Sequence, residues 1–233
     1  MKTTRVLAWL AVFCLTGPTL RAQNSSAPAS DILVSGFEAF GGRSENASWV
    51  LAQEIGKAFP HEVRTLQIPV IWGAPLESIQ GVQPLPKVWI AFGEGTPEFQ
   101  IEIVAHNLRG RYPDNHGMKP MTPEVVKDAE PELHQQAKLE GLAQALTQAG
   151  FPTHVSESAG RYLCEEMLYS LLHTQKQHPE ALKLVMFIHV PPLAQTVKLP
   201  ASQQKVDAAW LQAFGRQLFD SMRKLELLPA TAH

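Results

Sequence analysis

Three residues in this 233-residue chain are of types that together could break an amide bond: Cys164, His189 and Glu102. Cys164 lies in "SESAGRYLCEEM", four residues after Gly160, where a helix is expected to begin. Amide N–H groups in a first helical turn are unpaired, and the helix dipole favours negative charge there. Both effects promote a thiolate, and the same N–H groups could hold an oxyanion. The alternative for Cys164 is a small buried hydrophobe. A thiol nucleophile needs a base. His189 follows the apolar run "LVMFI" and precedes "VPP", so it stands at a strand end, where ligand-binding and catalytic groups gather in parallel sheets. Catalytic histidines are oriented by a third group. Glu102, in "FQIEIVA", is a carboxylate on an apolar strand and needs a partner. His189 would make it the third member of a triad; His106 or an arginine would make it an ordinary buried pair.

The elements that must position these residues follow from periodicity. "DILVSGF", "VRTLQIPV", "KVWIAFGE", "FQIEIVAHN", "THVSES" and "LKLVMFIHVP" read as strands. In "FQIEIVAHN", continuous alternation would put Phe99, Ile101, Ile103 and Ala105 on one side and Gln100, Glu102, Val104 and His106 on the other. "NASWVLAQEIGKAF" has helical spacing, with Asn46 or Ser48 as its cap, and "IWGAPLESIQGV" is a weaker helix. "PELHQQAKLEGLAQALTQAG" reads as one helix ending at Gly150, and "GRYLCEEMLYSLLHTQ" as another, with Cys164, Met167, Leu168 and Leu171 on one stripe. A last helix spans "QKVDAAWLQAFGRQLFDSMRKL". "LRGRYPDNHGMKPMTP" is expected to be a long functional loop. Strands alternating with helices imply a single α/β domain over 31–233, an α/β/α sandwich with a largely parallel, twisted mixed sheet.

Composition narrows the function. With a formal net charge of −2 and no run of Lys or Arg, nucleic acid is not an expected partner. No zinc spacing and no glycine-rich phosphate loop is present, so no metal or cofactor is expected. Residues 1–22 have a basic start, a short apolar run and a small residue at Ala22, the layout of a secretory signal. The run is too short for a stable span, so no membrane association is expected after cleavage near Ala22. Cleavage would remove Cys14, Lys2, Arg5 and Arg21 and no acid, leaving 17 bases against 22 acids and Cys164 as the one thiol. The expected location is periplasmic or extracellular. Residues 23–30 form a polar lead-in.

The chain resembles pyroglutamyl peptidase I, a family of cysteine peptidases, from about Asp31 to Pro192. "GFEAFGG" followed by "NAS" resembles its opening motif, with Ala39 at a usual proline; "RYPDNHG" resembles its "RIPDN-x-G" loop. "VSESAGRYLC" and "FIHVP" match its cysteine and histidine segments, and "FQIEIVAHN" its glutamate segment. The resemblance implies an α/β/α fold, no cofactor, and release of N-terminal pyroglutamate from peptides by Cys164, His189 and Glu102. It implies that Phe37 and Phe40 border a pyrrolidone pocket, joined by Asn46, Tyr162 and Leu163, and that Arg111 with the Cys164 N–H holds the oxyanion. A homo-oligomer is compatible with it. The chain departs from the family at Glu94 and Pro97, in a glycine loop that lacks its arginine, at Gln100 and Ile103 around the glutamate, and at Glu165 after the cysteine. A carboxylate at 165 is expected to disfavour the neighbouring thiolate. Two other functions fit the same residues: a non-catalytic binder of pyroglutamyl peptides, and a thiol hydrolase of altered specificity.

Overall fold

The computed structural model describes residues 30–95, 97–200 and 202–229. The signal-like segment and Cys14 lie outside the described residues. Six strands form the central sheet: β1 (Ile32–Phe37), β2 (Val63–Ile68), β3 (Val88–Glu94), β4 (Phe99–Glu102), β7 (Thr153–Ser156) and β8 (Leu184–Val190). Their order is β2-β1-β3-β8-β4-β7. Every adjacent pair is parallel except β4 with β8, so β4 and β7 run opposite to the other four.

Strands β1, β3 and β8 are buried at almost every position, as strands covered on both faces must be. On one face Val34, Ile90, Met186 and Ile188 pack against α1 (Ala47–Ala58), α3 (Glu140–Gln148) and α5 (Ala208–Lys224). On the other, Leu33, Trp89, Val185 and Phe187 meet α2 (Ala74–Gln80) and α4 (Leu163–Gln177). The result is the α/β/α sandwich. Phe99, the first residue of β4, stacks on Phe214 of α5 with centroids 3.7 Å apart, and Phe151 and Trp210 close around them. Such pairs contribute about 0.5–1.5 kcal/mol each beyond area burial, which anchors the strand that carries Glu102.

Local signals explain most of the helices. Asn46 caps α1, its side chain accepting from the Ser48 N–H, while Ser48 Oγ accepts from the Phe37 N–H instead. Gly150, at φ +93°, takes the left-handed position that ends α3.

Three expectations need correction. "FQIEIVAHN" is not one strand: it breaks at Ile103 into β4 and β5 (Val104–His106), and β5 pairs with β6 (Glu132–His134) in a separate two-stranded ribbon. Ile103 is the hinge, its N–H donating to Ser156 O and its carbonyl accepting from Gln135 N. The helix read from Pro131 starts only at Glu140, because β6 takes its first residues. The closing helix starts at Ala208, not Gln204, because Ser202–Lys205 (β10) pairs antiparallel with Thr196–Leu199 (β9). Asp207 then caps α5 by accepting from Trp210 N.

Candidate active site

His189 is the sixth residue of β8, near its carboxyl end, and is buried. In the antiparallel register Glu102 lies opposite Phe187, and Phe187 and His189 share a face of the sheet. Glu102 and His189 are therefore diagonal neighbours on that face, within reach of long side chains. Glu102 Oε1 stands 2.7 Å from His189 Nδ1. Glu102 is fully buried, and its Oε2 has no hydrogen-bond partner among the described residues. The alternative pairing of Glu102 with His106 or an arginine does not occur; His106 pairs with Glu132 and Glu165.

Cys164 is the second residue of α4 and is half-buried. It lies close enough to His189 for its charge to act on the ring. The chain thus brings thiol, imidazole and carboxylate together. Burial works to lower the His189 pKa, but the Cys164 charge and hydrogen bond, followed by those of Glu102, outweigh it and raise it to about 10. A protonated His189 is the partner that favours a neighbouring thiolate. Tyr162, the residue before α4, supplies no side-chain cap, which leaves the first amides of the helix free to face a developing oxyanion.

Two glycines make this line-up possible. A Cβ on Gly93 would lie 2.8 Å from Cys164 Sγ and 2.7 Å from Phe187 Cζ, and one on Gly95 would lie 2.7 Å from His189 Cδ2. Only bare backbone leaves room for the catalytic side chains at the end of β3. This is a physical reason for "GEG" within "AFGEGTPEF".

Beside Cys164 a small pocket of about 40 Å³ is lined by Phe37, Phe40, Asn46, Val70, Glu94, Tyr162, Leu163 and Cys164. All five residues expected to bind substrate are there. Val70 and Glu94 were not expected in it. The loops that shape the pocket are tied together. Asp114 accepts from the N–H groups of Trp72, His116 and Met118; burial would raise its pKa, but these three bonds lower it. Asn115 Nδ2 donates to Ala39 O at 2.8 Å, which locks the "PDN" loop to the loop bearing Phe40. Tyr162 Oη donates to Pro113 O at 3.0 Å, bringing the same loop to the start of α4. Glu94 is buried, accepts from Ala47 N at 2.9 Å and pairs with Arg43, whose guanidinium lies 4.3 Å above the Phe40 ring centroid. In the sequence Glu94 is only the charge after the run "VWIAFG"; its contacts with Arg43 and Ala47 show its place in the pocket.

Two other expectations are altered. Arg111 is exposed, with no hydrogen-bond or ion-pair partner among the described residues. Its neighbour Gly110 donates to Arg161 O at 2.7 Å, so the backbone lies near α4 while the Arg111 side chain makes no contact with the triad. Glu165, expected to disfavour the thiolate, is buried, and its Oε1 accepts from the His106 N–H. A larger space, of about 530 Å³ and lined by Leu133, Leu172, Lys176 and Leu182 among others, holds none of the triad.

Comparison with known proteins agrees with this geometry. The pyroglutamyl peptidase family model matches residues 30–208. A pyrrolidone-carboxylate peptidase of Yersinia pestis (strain Pestoides F) is 32% identical over 171 residues, covering 70% of this chain and 79% of that protein. Pyrrolidone carboxyl peptidase from Fervidobacterium islandicum AW-1 superposes with a TM-score of 0.73 at 24% identity, over 83% of this chain and 98% of that one. Pyroglutamyl peptidase I from Bacillus amyloliquefaciens gives 0.68 at 23% identity, over 82% and 93%. These last two likenesses show a shared fold; with the family match and the Yersinia relative, they place the chain in the pyroglutamyl peptidase family.

Proposed function

We propose that this protein is a thiol exopeptidase that hydrolyses the amide bond after an N-terminal pyroglutamyl residue. The observation that carries the reading is the Cys164–His189–Glu102 line beside a pocket walled by Phe37, Phe40 and Tyr162. A flat, neutral lactam ring suits aromatic walls. In this mechanism Cys164 Sγ attacks the carbonyl carbon. The oxygen gains the negative charge and is met by the free amides at the start of α4. His189 Nε2 gives its proton to the leaving amine as the C–N bond breaks, producing a thioester. His189 then takes a proton from water, the hydroxide adds to the thioester, and the C–S bond breaks to return the thiolate. Glu102 fixes the ring through Nδ1 and stabilises the imidazolium throughout.

Reduced, purified protein is expected to release the chromophore from a pyroglutamyl-linked chromogenic amide. No turnover, under conditions where a relative is active, would refute the reading. Turnover of other N-blocked amides in preference to the pyroglutamyl one would favour the altered hydrolase, and binding by calorimetry without turnover would favour the binder.

We also propose export, on the three-part layout of residues 1–22. Sequencing the N-terminus of protein recovered outside the cytoplasm is expected to find it near Gln23. An intact Met1 in all of the recovered protein would refute cleavage.

A further inference from the structure

We propose that Glu165 is a positioning residue for this reaction: its buried carboxylate, bonded to the His106 backbone N–H, clamps the turn bearing Cys164 to the strand following Glu102. The inference rests on the function proposed above. It goes further by assigning work to a buried carboxylate that the mechanism does not use and that the sequence reading took as a hindrance.

The first turn of α4 has no side-chain cap, so other contacts must keep it from fraying. Two consecutive buried carboxylates provide them, reaching in different directions. Glu166 accepts from Gly73 N at 2.9 Å and from Arg109 Nε and Nη2 at 2.9 and 2.8 Å, tying the turn to the start of α2 and to the loop after β5. Glu165 Oε1 accepts from the His106 backbone N–H at 2.6 Å, tying the turn to β5. β5 is separated from β4 only by Ile103, so this bond fixes the nucleophile's turn relative to the strand that ends in Glu102. Breaking this bond would leave a buried carboxyl oxygen without its partner, which holds the turn in one conformation. A misplacement of about 1 Å at a reacting group can cost roughly 10²-fold in rate.

Several titratable groups surround Glu165. From β5, His106 Nδ1 stands 3.6 Å from Glu165 Oε2. From β6, Glu132 reaches His106 Nε2 at 3.3 Å and His134 at 2.7 Å, which carries the cluster to the surface. From β4, the Glu102 charge is felt at Glu165. Burial, with Glu102 adding to it, holds the Glu165 carboxyl above its ordinary range, against the bonds and charge of His106, which lower it. His189 on β8 and Cys164 on α4 complete the titratable groups around this point, and the Glu166 charge is matched by Arg109.

The test compares Glu165→Ala with Glu165→Gln, whose amide oxygen can still accept from the His106 N–H. Glu165→Ala is expected to lower kcat about 10-fold or more with KM within about twofold. Glu165→Gln is expected to recover most of kcat, with KM again within about twofold. A parallel measurement is the rate at which iodoacetamide alkylates the Cys164 peptide, followed by mass spectrometry; it needs no substrate. It is expected to fall in the alanine variant and recover in the glutamine variant. Unchanged kcat and alkylation in Glu165→Ala would overturn the proposal, as would a glutamine variant that recovers neither. If the unaltered protein alkylates readily but does not turn over the pyroglutamyl amide, the proposed function fails, and the alkylation series still decides the positioning role.

Discussion

Cys164→Ala is expected to lower turnover of a pyroglutamyl amide by roughly 10⁴-fold or more, to the limit of detection. The reason is chemical. The thiol is the group that forms the covalent intermediate, and no other cysteine lies among the described residues. His189 and Glu102 would remain in line but would have nothing to activate except water held at the wrong distance. Stability should change little, because Cys164 is only half-buried and alanine suits a helix. Binding should survive, since the other seven residues lining the pocket are untouched. The measurement is kcat with the chromogenic amide, together with calorimetric binding of a pyroglutamyl dipeptide to the variant. Retained turnover in Cys164→Ala would remove the thiol from the mechanism.

Glu102→Gln is expected to be nearly as severe, about 10³–10⁴-fold in kcat, with KM little changed. The amide keeps the shape of the side chain but not its charge. Its nitrogen can turn toward Nδ1 and favour the wrong tautomer, and it cannot stabilise an imidazolium in a buried site. The same change should appear in pH dependence. Burial tends to lower the His189 pKa, and Cys164 followed by Glu102 raises it to about 10, above the ordinary 6.5. A group with a raised folded-state pKa contributes stability that is fully present below its unfolded value. That contribution therefore holds below about 6.5 and is lost as pH rises toward and through about 10. Removing the Glu102 charge should narrow this window. Urea denaturation at pH 6, 8 and 10 is expected to show the unaltered protein losing more stability across the series than Glu102→Gln. Equal losses would show that Glu102 does not sustain the His189 charge.

The triad was legible in the sequence for a reason that can be stated. Its members sit in local contexts that reveal orientation: His189 at the end of an apolar run, Cys164 after a small-residue turn, Glu102 as the lone charge in a strand. The motif resemblance supplied the pocket residues, and all five line it. What stayed hidden depends on contacts between distant segments. The break at Ile103 is invisible to periodicity, because the pattern of alternation continues across it while the hydrogen-bond partners change from β7 and β8 to β6. The 132–134 segment reads as helical by composition, yet pairing with β5 overrides that propensity. Glu165 was judged by its nearest neighbour in sequence, whereas its environment is set by His106, 59 positions away. Glu94 was seen as a departure from a motif, and only the meeting of β3 with Arg43 and the start of α1 shows it to be a wall of the pocket.

The order of strands in the sheet has a consequence for folding. β8 is the last of the six to be synthesised, yet it lies between β3 and β4. Glu102 and His189 are 87 positions apart and meet only when β8 slots into that gap. Closing so long a loop is entropically costly, and non-local pairings of this kind form slowly. A chain that has collapsed but not yet inserted its final central strand carries a thiol without a working base. Regain of activity after dilution from denaturant therefore reports that insertion rather than overall compaction. It should lag behind helix formation seen by far-ultraviolet circular dichroism.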